Sequence, residues 1–198
     1  MRLILLIIIL VLPTGARPGD PPLPPSLREY PVIESLEQAR SNPSAVFRLK
    51  LRRAGLKNIP AEIWGFHNLL ELDLSHNRIQ SISDSLSLLK NLSVLNISFN
   101  KIRELPSQTG ELHELRQLLA YHNKLQSLPS EIGRLEKLTH LDLWYNEIST
   151  LPDSLSRLQQ LEELDLRGII MSQSLKEKVR AWLPQTKVFT SPDCNCIK

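Results

Sequence analysis

The sequence predicts an α/β solenoid: a curved stack of about six repeats with a parallel sheet on its concave side, short helical or 3-10 segments on its convex side, and a cap at each end. Two observations carry this. Asn77, Asn100, Asn123 and Asn146 recur every 23 residues, a period that marks stacked supersecondary units rather than one closed globule. Each Asn also sits in one frame, L-x-x-L-x-L-x-x-N-x-(L/I)-x-x-(L/I)-P, which fits Leu69–Ile82, Leu92–Pro106, Leu115–Pro129 and Leu138–Pro152.

Each part of the frame has a physical reason. The L-x-L core predicts a short strand whose leucines point inward while the residues between them face out, because side chains alternate across a strand. The Asn falls where the chain leaves that strand, and an internal amide there has both donor and acceptor capacity for backbone groups exposed by the bend and by the adjacent repeat. Next, Pro60, Pro106, Pro129 and Pro152, with Ser83 replacing the proline in the second copy, introduce apolar residues spaced by three. Proline suits a first helical position, so a helical or 3-10 turn is expected after each. In degraded form the frame extends to Val46–Pro60, with Ala54 at the Asn place, and to Leu161–Ile169, with Ile169 there. Loss of the Asn at both ends suits terminal repeats that have one neighbour only.

These residues give 46–166 a resemblance to the leucine-rich repeat superfamily, of the 23-residue L-P-x-x-(I/L) type common in bacterial repeat proteins and in animal Ras-pathway scaffolds. The resemblance implies a right-handed solenoid that binds proteins or other ligands on its concave sheet. The flanks resemble the lead-in and closing elements of bacterial exported members: a helical N-terminal cap over 32–45 with Ser35–Ala39, and a C-terminal cap over 169–190 built as a helix and a strand. The repeats occupy 46–168 between them.

The first residues are different material. Arg2, ten apolar residues from Leu3 to Leu12, and Pro13–Ala16 read as a signal peptide over 1–16. A bilayer span needs about 20 apolar residues, so no stable membrane insertion is expected after cleavage. A proline-rich linker, expected to be extended, follows over 17–31. Residues 191–198 form a tail holding Cys194 and Cys196, too few thiolates for a closed zinc site. A secreted, periplasmic or cell-surface monomer is the expectation. An intracellular scaffold of Ras-pathway type and a structural cell-envelope protein are the alternatives.

Catalysis is not expected. The seven glycines form no dinucleotide or phosphate loop and the five histidines form no H-E-x-x-H, so neither cofactor nor metal is implied. With 24 basic against 21 acidic residues, charge does not point to nucleic acid. The basic group Arg48, Lys50, Arg52, Arg53 and Lys57 reads as a solvated capping edge.

Binding is the expected function, through the outward places of the strands. Alternation puts the third, fifth, seventh and eighth places on the concave face, where aromatic and apolar residues gather in the third to fifth repeats: Val94, Phe99, Leu119, Tyr121, His122, His140, Trp144 and Tyr145. Four of the chain's ten aromatic residues lie in this patch, the composition of an interaction hot spot for a protein, peptide or glycan. Tyr121 and Trp144 are expected opposite the core leucines, so that their truncation opens no cavity. His122 and His140 lack a third ligand at fixed spacing. Asn91-Leu-Ser93 and Asn96-Ile-Ser98 match glycosylation acceptors.

Overall fold

The computed structural model describes residues 25–191; the signal peptide, the first part of the linker and both cysteines lie outside them. Six three- or four-residue strands, one per repeat, form the sheet: β1 (Arg48–Lys50), β2 (Glu71–Asp73), β3 (Val94–Asn96), β4 (Gln117–Leu119), β5 (His140–Asp142) and β6 (Glu163–Leu166), joined at the end by β7 (Lys187–Thr190). All pair in parallel and in chain order. Leu49, Leu72, Leu95, Leu118, Leu141 and Leu164 meet in register and are all but inaccessible to water. One column of leucine therefore runs the length of the molecule as the floor of its core.

The chain returns along the opposite side through 3-10 turns at Ala61–Gly65, Asp84–Leu88, Ser107–Glu111, Ser130–Arg134 and Asp153–Arg157. Four of the five are preceded by the prolines of the frame. At the fifth, Ser83 replaces the proline and its hydroxyl accepts the Ser85 amide at 3.2 Å, so a side-chain cap does there what a fixed φ does elsewhere. The turns stack closely. A Cβ added at Gly110 would stand 2.3 Å from the Glu131 carbonyl oxygen, and one at Gly133 2.4 Å from that of Ser154.

Four asparagine amides hold the bend after the strand. Asn123 Nδ2 donates to the carbonyls of Ile97 (2.9 Å) and Ala120 (3.1 Å), and its Oδ1 accepts the Ile102 amide at 3.0 Å. Asn77, Asn100 and Asn146 repeat the pattern one register apart. Every amide thus joins its own repeat to the preceding one, and all four are buried.

The ends are covered by different devices. Helix α1 (Leu36–Ser41) starts at Ser35, whose side chain accepts the Gln38 amide, and Ile33 bridges in parallel to Leu49 beside β1. Helix α2 (Gln173–Trp182) starts at Ser172 and buries Val179 against the last repeat. The described part of the proline-rich linker is not extended, a correction to the sequence expectation. Pro25–Glu29 form a 3-10 turn, Leu27 is 1% exposed, and Tyr30 stacks on Phe47 with ring centroids 4.3 Å apart. Two large apolar side chains give this segment surface to bury that the prolines around them lack. Among the described residues no helix is long and apolar enough to cross a membrane.

Candidate functional site

The strands cover the third to fifth places of each repeat, and the sixth also in the last, so the seventh and eighth places lie beyond them, in the turn. There the backbone does something that strand alternation does not contain. Arg53, His76, Phe99, His122 and Tyr145, all at the eighth place, adopt φ between 51° and 57°, and Gly168 at the same place has φ 72°. Left-handed backbone costs a residue with a Cβ about 1 to 2 kcal/mol. Its return is a continued ladder: the eighth amide donates to the seventh carbonyl of the next repeat, from Phe99 to Tyr121 (3.0 Å), from His122 to Trp144 (2.8 Å) and from Tyr145 to Arg167 (2.9 Å).

That ladder sets side chains in file. His76 and Phe99 stack at 4.1 Å with 15° between planes, Phe99 and His122 at 4.4 Å and 10°, His122 and Tyr145 at 4.6 Å and 29°. Four rings lie face on face across four repeats. Tyr121 and Trp144, at the seventh place, meet this file edge-on: Tyr121 approaches Phe99 at 5.4 Å and 80°, and Trp144 approaches His122 at 4.4 Å and 89°. Offset stacks and edge contacts are the arrangements the ring quadrupole favours.

Five of the eight sequence-predicted site residues, Phe99, Tyr121, His122, Trp144 and Tyr145, are therefore brought into one cluster. The other three are not. Val94 and His140 sit at the third place of their strands and Leu119 at the fifth. His140 Nδ1 lies 2.9 Å from the Thr139 hydroxyl.

Burial corrects the expectation further. Val94, Leu119 and Tyr121 are 3%, 6% and 4% exposed, so these three support the surface rather than present it. Strands about 4.8 Å apart bring concave-face side chains into mutual contact, and a large ring such as Tyr121 closes the space beside it. Truncating Tyr121 would open a void after all. By contrast Tyr145 is 60% exposed, and Phe99, His122, His140 and Trp144 are partly exposed.

His76 belongs to the file and was missed by sequence reasoning, because the aromatic patch was counted from Val94 onward. The signal for the column was present in Gly168: a glycine at the eighth place marks positive φ there in every repeat. Burial beside Phe99 holds the His76 imidazolium pKa below the ordinary histidine value, and the nearby Arg52 and Arg53 add to that.

The fifth-place polar residues are structural. Asp73, Asn96, Asp142 and Asp165 each accept the backbone amide two residues on, at 2.8 to 3.0 Å. Asn96 Oδ1 also accepts the Ser98 hydroxyl of its own acceptor motif. The basic capping edge is likewise less solvated than expected. Arg48 is 7% exposed, with Nε 2.5 Å from Glu71 Oε2 and Nη1 donating to the Tyr30 carbonyl at 3.1 Å. Lys50 shares the same carboxylate at 3.1 Å, while Arg53 and Lys57 face solvent. Glu71 supplies the reason: one buried carboxylate on β2 draws in two cations from β1. Among the described residues no group of three or more His, Cys, Asp or Glu could hold a metal ion.

The family profile described as leucine rich repeat matches residues 44–102, 67–125 and 113–168, together more than half of the chain. No curated protein matches by sequence. Among solved structures, a leucine-rich repeat protein of Leptospira interrogans is 27% identical with a TM-score of 0.70, over 80% of this chain and 46% of that one. A plant peptide hormone receptor solved in complex with RGF2 is 28% identical with a TM-score of 0.60, over 67% of this chain and 22% of that one. The BIR3–SERK2 complex of Arabidopsis thaliana gives 30% identity and a TM-score of 0.53, over 64% of this chain and 69% of that one. The chain thus spans about half the length of the Leptospira protein and about a fifth of the plant receptor.

Proposed function

The chain belongs to the leucine-rich repeat family, and from that premise we propose that it is an exported, non-catalytic recognition module that binds a protein or peptide at the ring cluster beside its concave sheet. The observation that carries this reading is the cluster itself. Five aromatic or imidazole side chains converge at Phe99, Tyr121, His122, Trp144 and Tyr145, although they come from three repeats and two places of the frame. Rings give large contact area for little loss of side-chain freedom. The plant peptide hormone receptor, solved in complex with RGF2, and the BIR3–SERK2 complex support the choice of a polypeptide ligand.

Geometry weighs against a glycan at the same place. A sugar ring packs on the open face of an aromatic ring, and the faces between His76, Phe99, His122 and Tyr145 are closed against one another. Export rests on residues 1–16, where Arg2 and the apolar run Leu3–Leu12 precede a small-residue cleavage site.

Two measurements test the proposal. N-terminal sequencing of protein recovered outside the cytoplasm should begin near Arg17. Pull-down with the immobilised chain should retain a protein or peptide that Trp144→Ala releases, with the variant folded in an unfolding melt. Retention of the same material by both would move recognition to another surface.

A further inference from the structure

The file of rings is unfinished at one end. At the eighth place the column runs Arg53, His76, Phe99, His122, Tyr145, Gly168, and the left-handed backbone continues into the glycine. A Cβ built at Gly168 would lie 3.2 Å from Tyr145 Cδ2. Any side chain there would thus begin against the Tyr145 ring, as each earlier ring lies against the one before it. With glycine in that place no eighth-place side chain covers the outer side of the ring. The inner faces are spent on neighbours, whereas Tyr145 is 60% exposed.

A second column runs through the same repeats. Two residues past the ring, at the tenth place, stand Arg78, Lys101, Lys124, Glu147 and Ile170. Arg78, Lys101 and Lys124 are exposed and none makes an ion pair among the described residues. Repeats about 5 Å apart set these three cations in a row within one Debye length of each other. Two residues before each cation in sequence stands a ring of the file, His76, Phe99 or His122, and ring edges carry the positive end of the aromatic quadrupole. Cations and ring edges therefore favour carboxylates. After Lys124 the column carries the exposed carboxylate of Glu147, in the repeat of Tyr145, and then turns apolar at Ile170, which is 95% exposed and lies two residues from Gly168. One edge of the molecule thus reads basic over its second to fourth repeats and apolar at its last, with Glu147 between them, so that the acidic residues of a ligand belong over the cations and its apolar residues over the last two repeats.

We infer that this edge takes an acidic polypeptide segment, and that an aromatic side chain of that segment stacks on Tyr145 over Gly168 as the missing rung of the file. This deepens the proposed function and rests on it. Arg78, Lys101 and Lys124 hold the acidic residues, and Tyr145, Gly168 and Ile170 hold the ring. A single-stranded nucleic acid would share the cations but stacks successive bases on several open ring faces, and this file offers one. A sulfated glycan would share the cations and leave the open Tyr145 face unused, which the heparin probe distinguishes.

The test uses the full chain with three probes: polyglutamate, a random glutamate–tyrosine copolymer of the same length, and heparin. The copolymer should bind roughly tenfold more tightly than polyglutamate, a difference of about 1.4 kcal/mol. Tyr145→Ala should bring the copolymer down to the affinity of polyglutamate, and Tyr145→Phe should restore it. Lys101→Glu with Lys124→Glu should weaken both acidic polymers alike, and added salt should do the same. Unfolding melts of every variant show that the fold is kept, since Tyr145, Lys101 and Lys124 are exposed. Equal binding of the two acidic polymers, or a copolymer affinity indifferent to Tyr145→Ala, overturns the inference. So does heparin binding that exceeds the copolymer's. If the Trp144→Ala variant loses a captured partner while Tyr145→Ala keeps it, this inference falls and the recognition module stands.

Discussion

The eighth and ninth places of each repeat are neighbours in the chain and behave as opposites. At the ninth, Asn77, Asn100, Asn123 and Asn146 are chemically identical, buried, and committed to carbonyls and amides of two repeats. At the eighth, Arg53, His76, Phe99, His122, Tyr145 and Gly168 share only a left-handed backbone, and the five that carry a side chain are partly or fully exposed. The ninth place must satisfy internal hydrogen-bonding groups, for which one short amide has the right reach. The eighth must only tolerate positive φ. Its side chain can therefore vary from repeat to repeat, and in this chain four of these places carry a stack of rings over a buried Tyr121.

Three measurements break or sharpen this contrast. The largest effect is expected at the support beneath the file. Tyr121→Ala removes a nearly inaccessible ring among Phe99, His122 and Trp144 and should cost about 3 kcal/mol or more in a urea melt, as large-to-small changes of aromatic side chains do. A loss under about 0.5 kcal/mol, the range of ordinary surface changes, would mean that the ring is not packed.

Next comes the ninth column. Asn123→Ala leaves the Ile97 and Ala120 carbonyls and the Ile102 amide without this partner, at a cost of roughly 1 to 3 kcal/mol. Glu147→Ala on the exposed tenth place should stay within about 0.5 kcal/mol. Equal shifts in the two melts would remove the distinction between the buried asparagine column and the exposed places beside it.

The smallest effect concerns pH at the eighth place. His76 has its folded-state pKa lowered by burial first and by Arg52 and Arg53 after it, so the folded protein binds that proton less readily than the unfolded chain. Its contribution is complete above the ordinary histidine value, declines as pH falls through that value, and levels off below the lowered folded one. His76→Phe should keep the stack with Phe99 and flatten this part of the stability profile. A pH dependence unchanged by the substitution would assign it elsewhere.

Much of the fold was legible because it follows from local rules repeated in register. The prolines at 60, 106, 129 and 152 anticipate the 3-10 turns they precede, and the leucines of the strands anticipate the buried column. The site was legible only as a neighbourhood. Phe99, Tyr121, His122, Trp144 and Tyr145 were identified by composition at outward places, yet the same reading took Tyr121 as exposed and passed over His76 and Gly168. Strand alternation has period two and holds only while the strand lasts; here it lasts three residues, and the rings lie after it.

By itself the sequence determined the repeat length, the parallel stacking, the inward leucines and the place of each asparagine, since each depends on residues within one repeat and on a period that carries them to the next. Only the tertiary structure decided which ring faces are closed, that Tyr121 supports its neighbours, that Glu71 draws in Arg48 and Lys50, and that Leu27 and Tyr30 bring the end of the linker down onto the first repeats. Those outcomes depend on distances of 3 to 6 Å between side chains of different repeats. The sign of φ at one turn residue sets which side chains meet there, and a pattern of apolar and polar letters does not carry that sign.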